Sequence, residues 1–392
     1  PPPPLFFFHA EDGIRDAQES RELGDVYKRQ DLSNWWIKDQ YSENIKIKNV
    51  NDEIILDGLW IPTSYPDKKE TIIILHGLTA SYREFNVLLT ASMLIKSDFN
   101  VLLIDFRNHG KSTCSTGRHE GGQKQVFDVS NTIDWLINKL SNNNRKVGVF
   151  GISYPGFYTA AALPNAHPAL KAASPQAPIS DFFFDDFIHN GAYLLSYTAA
   201  FPVFGYQKSG LTKKPWYTEK LNRFWGNPPK DAYEFYLDLG PLKNITKKYH
   251  YDNFFWNEMI NHPNYDSFWQ KRNILQHLNN ITPAVMTVGG WYDAEDLYGP
   301  LSIYKTIEKN NPKAQNTIVM GPWAHGDWAR EKGKHVHNHI YYGDSISTFY
   351  QKNIERKFFA HHLKGSDIKP MPEAYMYDTG IKQWQTFGCS SV

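Results

Sequence analysis

Five short runs in this chain are apolar without alternation: "TIIILHG", "NVLLIDFRNHG", "KVGVFG", "TPAVMTVGGWYD" and "NTIVMGPWAHG". A strand with one wet face alternates polar and apolar residues. Runs that do not alternate belong to strands covered on both faces, the habit of parallel sheets. Helical periods lie between them. "VFDVSNTIDWLINKL" puts Val126, Val129, Ile133, Leu136 and Ile137 on one face, "FNVLLTASMLIKS" has helical spacing, and "FYTAAALP" starts another helix. Strands alternating with helices predict an α/β sheet with right-handed crossovers. Ahead of it, "NIKIKNV" and "EIILDGLWIP" read as two antiparallel strands around a turn at Asn51-Asp52.

The alternation stops after Asp181. Residues 181–275 are rich in Phe, Tyr, Trp, Asn and Pro and read as irregular helices, the look of a cap inserted over an active site. After "FFAHHLKG", the stretch "MPEAYMYDTGIKQWQTF" alternates like β structure but is too short to make a sheet alone. The expected organisation is therefore an α/β core at 31–180 and 276–358, a helical cap at 181–275, and the start of a further β domain at 359–392. Residues 1–30 show no period and no signal-peptide layout. They read as a non-native or disordered segment, which leaves the native N-terminus missing and the compartment unassigned.

Composition closes off several classes. Lys+Arg number 42 against 41 Asp+Glu, so there is no charge excess to bind nucleic acid. No run of about 18 apolar residues offers a membrane span. Two cysteines, Cys114 and Cys389, make no disulfide framework. Aromatics reach 15%, which suits a pocket or an ordinary core.

The chemistry starts at "GISYPG". Ser153 stands between a buried strand and a helix, the context of a nucleophile elbow, with Gly151 and Gly156 as the small neighbours a sharp turn needs. Pro155 fits, because the first turn of a helix leaves its N–H groups unpaired anyway. An elbow of this kind is followed in the chain by an acid and then a histidine, each at a strand end. Asp293 follows "AVMTVGGWY" and His325 follows "TIVMGPWA". Taken singly, each has a plain alternative: a loop serine, a loop cap, a surface histidine. Taken in order, they predict that Ser153 attacks an acyl carbonyl, His325 takes its proton and Asp293 orients the imidazole. The backbone N–H of Tyr154 is one expected oxyanion donor, and that of Leu78 in "HGLTA" the second.

"GISYPG", "GGWYDAEDLYG" and "GPWAHGDW" resemble the cocaine esterase and X-prolyl dipeptidyl peptidase superfamily of α/β hydrolases, nearest its α-amino acid ester hydrolase branch, which includes glutaryl-cephalosporin acylases. The likeness runs from about residue 126 to 392 through "SPQAPISDFFFDDFIHNGA", "HPNYDSFWQKRNI" and "PEAYMYDTG". It implies an α/β-hydrolase fold with a helical cap and a truncated C-terminal jelly roll. It also implies Ser153, Asp293 and His325 as the triad, no cofactor, and a small ester, amide or short peptide as substrate. In that branch a carboxylate cluster binds the substrate's α-ammonium. Glu295 and Asp296 match two of its members, and Asp186 or its neighbour Asp185 looks like the third, with Trp291 and Tyr292 of the same motif as further substrate contacts. The expected activity is hydrolysis or transfer of acyl groups from α-amino esters or β-lactam side-chain amides. The alternatives are an X-prolyl dipeptidyl peptidase, a general carboxylesterase or, in another class, a silent binding protein on the same scaffold. A homo-oligomer and a periplasmic or secreted setting are in keeping with the resemblance.

The front of the chain departs from that branch, whose oxyanion loop carries Arg-x-Pro-Tyr. Here the position reads "LHGLTASY", and Tyr82 has no clear counterpart. Residues 31–125 resemble only the wider fold, which raises the expectation of two genes joined near residue 125. Three other motifs read as inert. "HGKST" at 109–113 has Asp105 where a phosphate loop needs glycine. "HVHNH" places His335, His337 and His339 on one strand face but reads as a polar loop rather than a metal site. "HH" at 361–362 reads as a surface pair.

Overall fold

A computed structural model of the chain describes residues 41–49, 54–64, 70–76, 85–107, 109–112, 123–140, 143–201, 223–224, 231–330, 333–337, 339–365 and 371–388. The strands are β1 (Glu43–Lys48), β2 (Ile55–Ile61), β3 (Thr71–Leu75), β4 (Asn100–Ile104), β5 (Val147–Ile152), β6 (Leu170–Gln176), β7 (Ile188–His189), β8 (Ala192–Tyr193), β9 (Ala284–Gly290), β10 (Asn316–Gly321), β11 (Lys334–His337), β12 (Ile340–Asp344), β13 (Ala374–Asp378) and β14 (Gln383–Phe387). The main helices are α1 (Phe85–Ile95), α2 (Gln123–Lys139), α3 (Tyr154–Ala161), α4 (Ala232–Leu239), α5 (Lys243–Lys248), α6 (Phe254–Asn261), α7 (Ser267–Gln270), α8 (Tyr298–Asn310) and α9 (Asp327–Arg330).

Each of the five apolar runs contains a strand: β3, β4, β9 and β10 are buried at every residue, and β5 at all but its last. Ten strands form one sheet in the order β1-β2-β4-β3-β5-β6-β9-β10-β13-β14. It is parallel from β4 through β13 and antiparallel at both ends. Helices α1, α3 and α8 pack on these strands, which is why the strands can be apolar on both sides. This is the α/β-hydrolase arrangement the sequence predicts.

Two features differ from the sequence reading. Strand β6, "LKAASPQ", lies in the middle of the sheet yet has no apolar run. Helix α3 comes close to it: a Cβ on Gly156 would lie 2.4 Å from the Gln176 carbonyl oxygen, so the helix needs glycine at that point. The "PEAYMYDTG" stretch forms β13, which pairs parallel to β10 in the main sheet, with Ile318 opposite Ala374. His361 and His362 are half-buried rather than surface residues, ring to ring at 4.7 Å, and His362 packs on Phe358. Burial, with His361 beside it, holds the His362 pKa down at about 4.

On α2, Val129, Ile133 and Leu136 are buried as the period predicts, while Val126 and Ile137 are half-buried. Asp128 shares the buried face. It takes two hydrogen bonds from the Arg107 guanidinium, at 2.7 and 2.6 Å, and one from Asn49. Both charged side chains are almost wholly enclosed. Asp128→Ala is expected to lower the unfolding free energy by about 3–5 kcal/mol, because it strands a buried guanidinium. Urea unfolding measures this; a loss under ~1 kcal/mol, usual for exposed pairs, contradicts it. The "HGKS" turn is closed by Asp105, which accepts the Lys111 N–H at 3.1 Å, while Ser112 Oγ donates to the Asp105 carbonyl. The residue that spoils the phosphate-loop pattern is the one that builds the turn.

The chain divides into two compact units: 36–185 with 271–392, and a second whose described residues lie in 186–270. The second holds β7, β8 and α4 to α7 around Phe187, Phe201, Phe255, Trp256 and Trp269. Asp231 and Asn253 cap α4 and α6 with side-chain oxygens. Aromatic packing on short capped helices explains why no strand period appears there. Among the described residues, no helix is long and apolar enough to cross a membrane.

Candidate active site

Because β5, β9 and β10 are parallel, their C-terminal ends lie on one edge of the sheet, and each delivers one residue of the expected triad. Ser153 follows β5 directly and precedes α3, with φ 70° and ψ −126°. A non-glycine residue held there stores backbone strain, and it is fixed from both sides. Its N–H donates to the Gln176 carbonyl at 2.9 Å, and its carbonyl accepts the Phe157 N–H at 3.0 Å. The glycine positions follow from the same crowding. A Cβ on Gly151 would meet Pro155 Cβ at 2.5 Å, and one on Gly156 would strike Gln176. The second glycine is therefore needed at 156, where α3 crosses β6, and not at 155. The ring of Tyr154 is buried, edge-on to Tyr158 at 4.9 Å. Leu78 and Tyr82 lie outside the described residues.

The acid and the histidine come from neighbouring turns sewn together by backbone. Trp291 N–H donates to the Gly321 carbonyl at 2.8 Å and Tyr292 N–H to the Trp323 carbonyl at 3.0 Å. A Cβ on Gly290 would sit 2.2 Å from the Trp323 oxygen, so the turns can approach only with glycine there. Asp293 is thereby placed against His325, whose Nδ1 lies 2.9 and 3.1 Å from the two carboxylate oxygens. The backbone N–H groups of Glu295 and Asp296 also donate to Asp293 Oδ1, each at 2.9 Å. An aspartate satisfied in this way stays ionised despite burial, and its pKa is held below the ordinary value.

Glu295 and Asp296 crowd the same imidazole. Glu295 Oε2 is 3.6 Å from His325 Nε2, and Asp296 Oδ2 is 3.9 Å from Nδ1. Burial alone would lower the His325 pKa. The charges of Asp293 and Glu295 and the Asp293 hydrogen bond overcome this and push it up to about 10, against a smaller opposing effect of Arg330. Arg330 also donates to the His325 carbonyl, and Asp327 accepts the Ala324 N–H at 2.9 Å, closing the histidine's turn.

The remaining candidates engage other partners than His325. Asp185 Oδ2 accepts from Ser180 N–H, Ser180 Oγ and Asp181 N–H. Burial raises its pKa to about 7 against these bonds. Asp186 belongs to the other unit, where Tyr197 donates to it at 2.7 Å. Trp291 Nε1 donates to the Tyr377 carbonyl, and Tyr292 accepts from the Tyr342 hydroxyl at 2.5 Å beneath the stacked His337 ring. These two aromatics line a groove with Met376, Tyr377, Gln385 and Phe387 that contains no member of the triad. His335 is buried with Nε2 against the Pro322 carbonyl, and a bulge after it breaks the shared face expected of the "HVHNH" histidines. Among the described residues, the group whose donor atoms could share a cation is Glu295, Asp296 and His325, all within 4.8 Å of one another.

Residues 59–327 match the family described as X-Pro dipeptidyl-peptidase (S15 family). The chain belongs to the S15 family. This is a family of hydrolases, in line with the superfamily that the elbow, acid and histidine motifs resemble. The match begins well before residue 125, and β3 and β4 pair into the same sheet as β5, so residues 59–125 share one family match and one sheet with the residues that follow. The cocaine esterase of Rhodococcus sp. (strain MB1 Bresler) is 22% identical over 273 residues, which are 66% of this chain and 44% of the esterase. A solved α-amino acid ester hydrolase superposes with a TM-score of 0.76 at 21% identity, over 93% of this chain and 61% of its own. An aminopeptidase from a marine-sediment Thaumarchaeota archaeon gives 0.73 at 24% identity, over 88% and 58%. This S15 chain thus spans roughly half the length of these relatives, and at these identities the solved structures speak to the fold.

Proposed function

We propose that this S15 protein hydrolyses or transfers acyl groups from α-amino esters and amides, β-lactam side chains among them, through an acyl-enzyme on Ser153. His325 serves as base and Asp293 orients it. The observation that carries the substrate class is the pair of carboxylates, Glu295 and Asp296, within 4 Å of the His325 ring nitrogens. Two acids beside the base favour a substrate with a positive charge close to its scissile carbonyl, as an α-amino ester has. Asp185 is the third acid of this reading, since it belongs to the same unit and accepts the N–H of Gly299, the last residue of "DAEDLYG". Tyr154 N–H and Leu78 N–H are the proposed oxyanion donors. The names of two relatives, α-amino acid ester hydrolase and aminopeptidase, agree with a substrate bearing a free amine.

The test compares a phenylglycine ester with a neutral ester of similar size. Glu295→Gln with Asp296→Asn is expected to raise KM for the amino ester ~10–100-fold, the worth of one charge-assisted contact, and to leave the neutral ester within a few-fold. Equal effects on both esters refute ammonium recognition by these acids. The family's description favours a second reading, an X-prolyl dipeptidyl peptidase. Release of aniline from an Ala-Pro anilide, faster than from the phenylglycine anilide, decides for it.

A further inference from the structure

Ser153 and His325 lie 172 residues apart in the chain, yet a triad needs their spacing held to a fraction of an ångström. One residue touches both turns. Gln176, the last residue of β6, is wholly buried. Its main-chain carbonyl accepts the Ser153 N–H at 2.9 Å. Its side-chain Oε1 accepts the Trp328 Nε1–H at 2.7 Å, three residues past His325. Indole is a donor only, so the amide oxygen must face Trp328 and the amide nitrogen must face away. That nitrogen donates to Glu355 Oε1 at 2.8 Å, with Tyr350 Oη and Ser174 Oγ at 3.1 Å each. The Tyr350 hydroxyl in turn donates to Glu355 at 3.0 Å. Trp328 is fixed further by Gln351, which donates to its carbonyl at 2.7 Å, and by Trp323, ring to ring at 5.6 Å. Glu355 is a buried acid that the proposed chemistry does not use; burial raises its pKa while the bonds from Gln176 and Tyr350 oppose this.

We propose that Gln176 is a positioning residue for the reaction, coupling the Ser153 elbow to the His325 turn through Trp328, with Glu355 fixing the direction in which its amide points. The inference rests on Ser153 and His325 being nucleophile and base. It adds that their alignment depends on a hydrogen-bonded bridge beneath the site, away from any substrate contact.

The purified full chain is assayed with a neutral nitrophenyl ester and with a fluorophosphonate that labels active serines. Trp328→Phe removes one hydrogen bond and little volume. It is expected to lower kcat and the labelling rate about 10-fold with KM within about twofold, the pattern of a misaligned but intact site. Gln176→Glu sets a second carboxyl against Glu355 and is expected to cost more. Gln176→Glu with Glu355→Gln reverses the polarity of the central bond, keeps an acceptor for Trp328, and is expected to return kcat to within about threefold of wild type. Variants that keep their near-UV circular dichroism and label at the wild-type rate overturn the inference. So does a swap that restores thermal stability but not kcat, which marks the bridge as structural only. Failure of the wild-type chain to label at Ser153 overturns the nucleophile assignment, and this inference with it.

Discussion

Ser153→Ala is expected to abolish covalent labelling and to reduce ester hydrolysis by ~10⁶-fold in kcat, the loss seen when a nucleophile acting as one unit with its base is removed. The backbone argues for so large an effect. Ser153 is held at φ 70° by bonds to Gln176 and Phe157, in a turn whose neighbours must be glycine at 151 and 156. A serine needed only for polarity would not be kept in a conformation that costs of order 1–3 kcal/mol. Ser153→Gly separates strain from chemistry: it also removes the hydroxyl, but it relieves the positive φ. It is expected to be as inactive as the alanine variant and more stable to urea by about 1 kcal/mol. Residual hydrolysis above about 1% in either variant, with labelling retained, places the nucleophile elsewhere.

What could be read from sequence, and what could not, follows from the range of the forces involved. The buried parallel strands were legible because burial on both faces leaves an unbroken apolar run, as in "TIIIL" and "TIVM". The elbow was legible because its crowding forces glycines at fixed offsets from Ser153. Strand β6 was not legible: "LKAASPQ" is buried at all but Lys171 yet Leu170 is its one large apolar residue, so it has no apolar run to read. The partnership of Gln176 with Trp328 spans 152 residues and uses side chains that look ordinary in isolation. Asp128 broke the apolar face of α2 because its partner, Arg107, lies in a different loop. Trp291 and Tyr292 sit in the motif that supplies the acid, yet their side chains engage the hairpins at 334–344 and 374–387. Sequence adjacency to Asp293 fixes their backbone and leaves their rings free to serve packing.

Asp293→Asn is expected to lower the high-pH plateau of kcat/KM by about 10⁴-fold with the fold intact, and its pH profile carries the argument. The asparagine amide can give an N–H to Nδ1, which leaves the ring proton on Nε2 and deprives Ser153 of its acceptor. A base works only when neutral, so activity rises as pH climbs through the His325 pKa. That pKa lies far above the ordinary histidine value of 6.5, because the charges of Asp293 and Glu295 outweigh burial. Removing the Asp293 charge takes away the largest upward pull, so the acid limb of the profile moves to lower pH even as its plateau collapses. Glu295→Gln moves the limb the same way but by less, since Glu295 is 46% exposed and 3.6 Å from Nε2, and it keeps most of the plateau. The two variants thus share a direction in pH and differ in height. The same shift has a stability counterpart of fixed sign. A histidine whose pKa is raised on folding adds stability below 6.5 that is lost as pH rises toward about 10, and Asp293→Asn is expected to flatten that slope in urea titrations. An Asp293→Asn plateau within about tenfold of wild type, or an acid limb that moves upward, removes Asp293 from the triad.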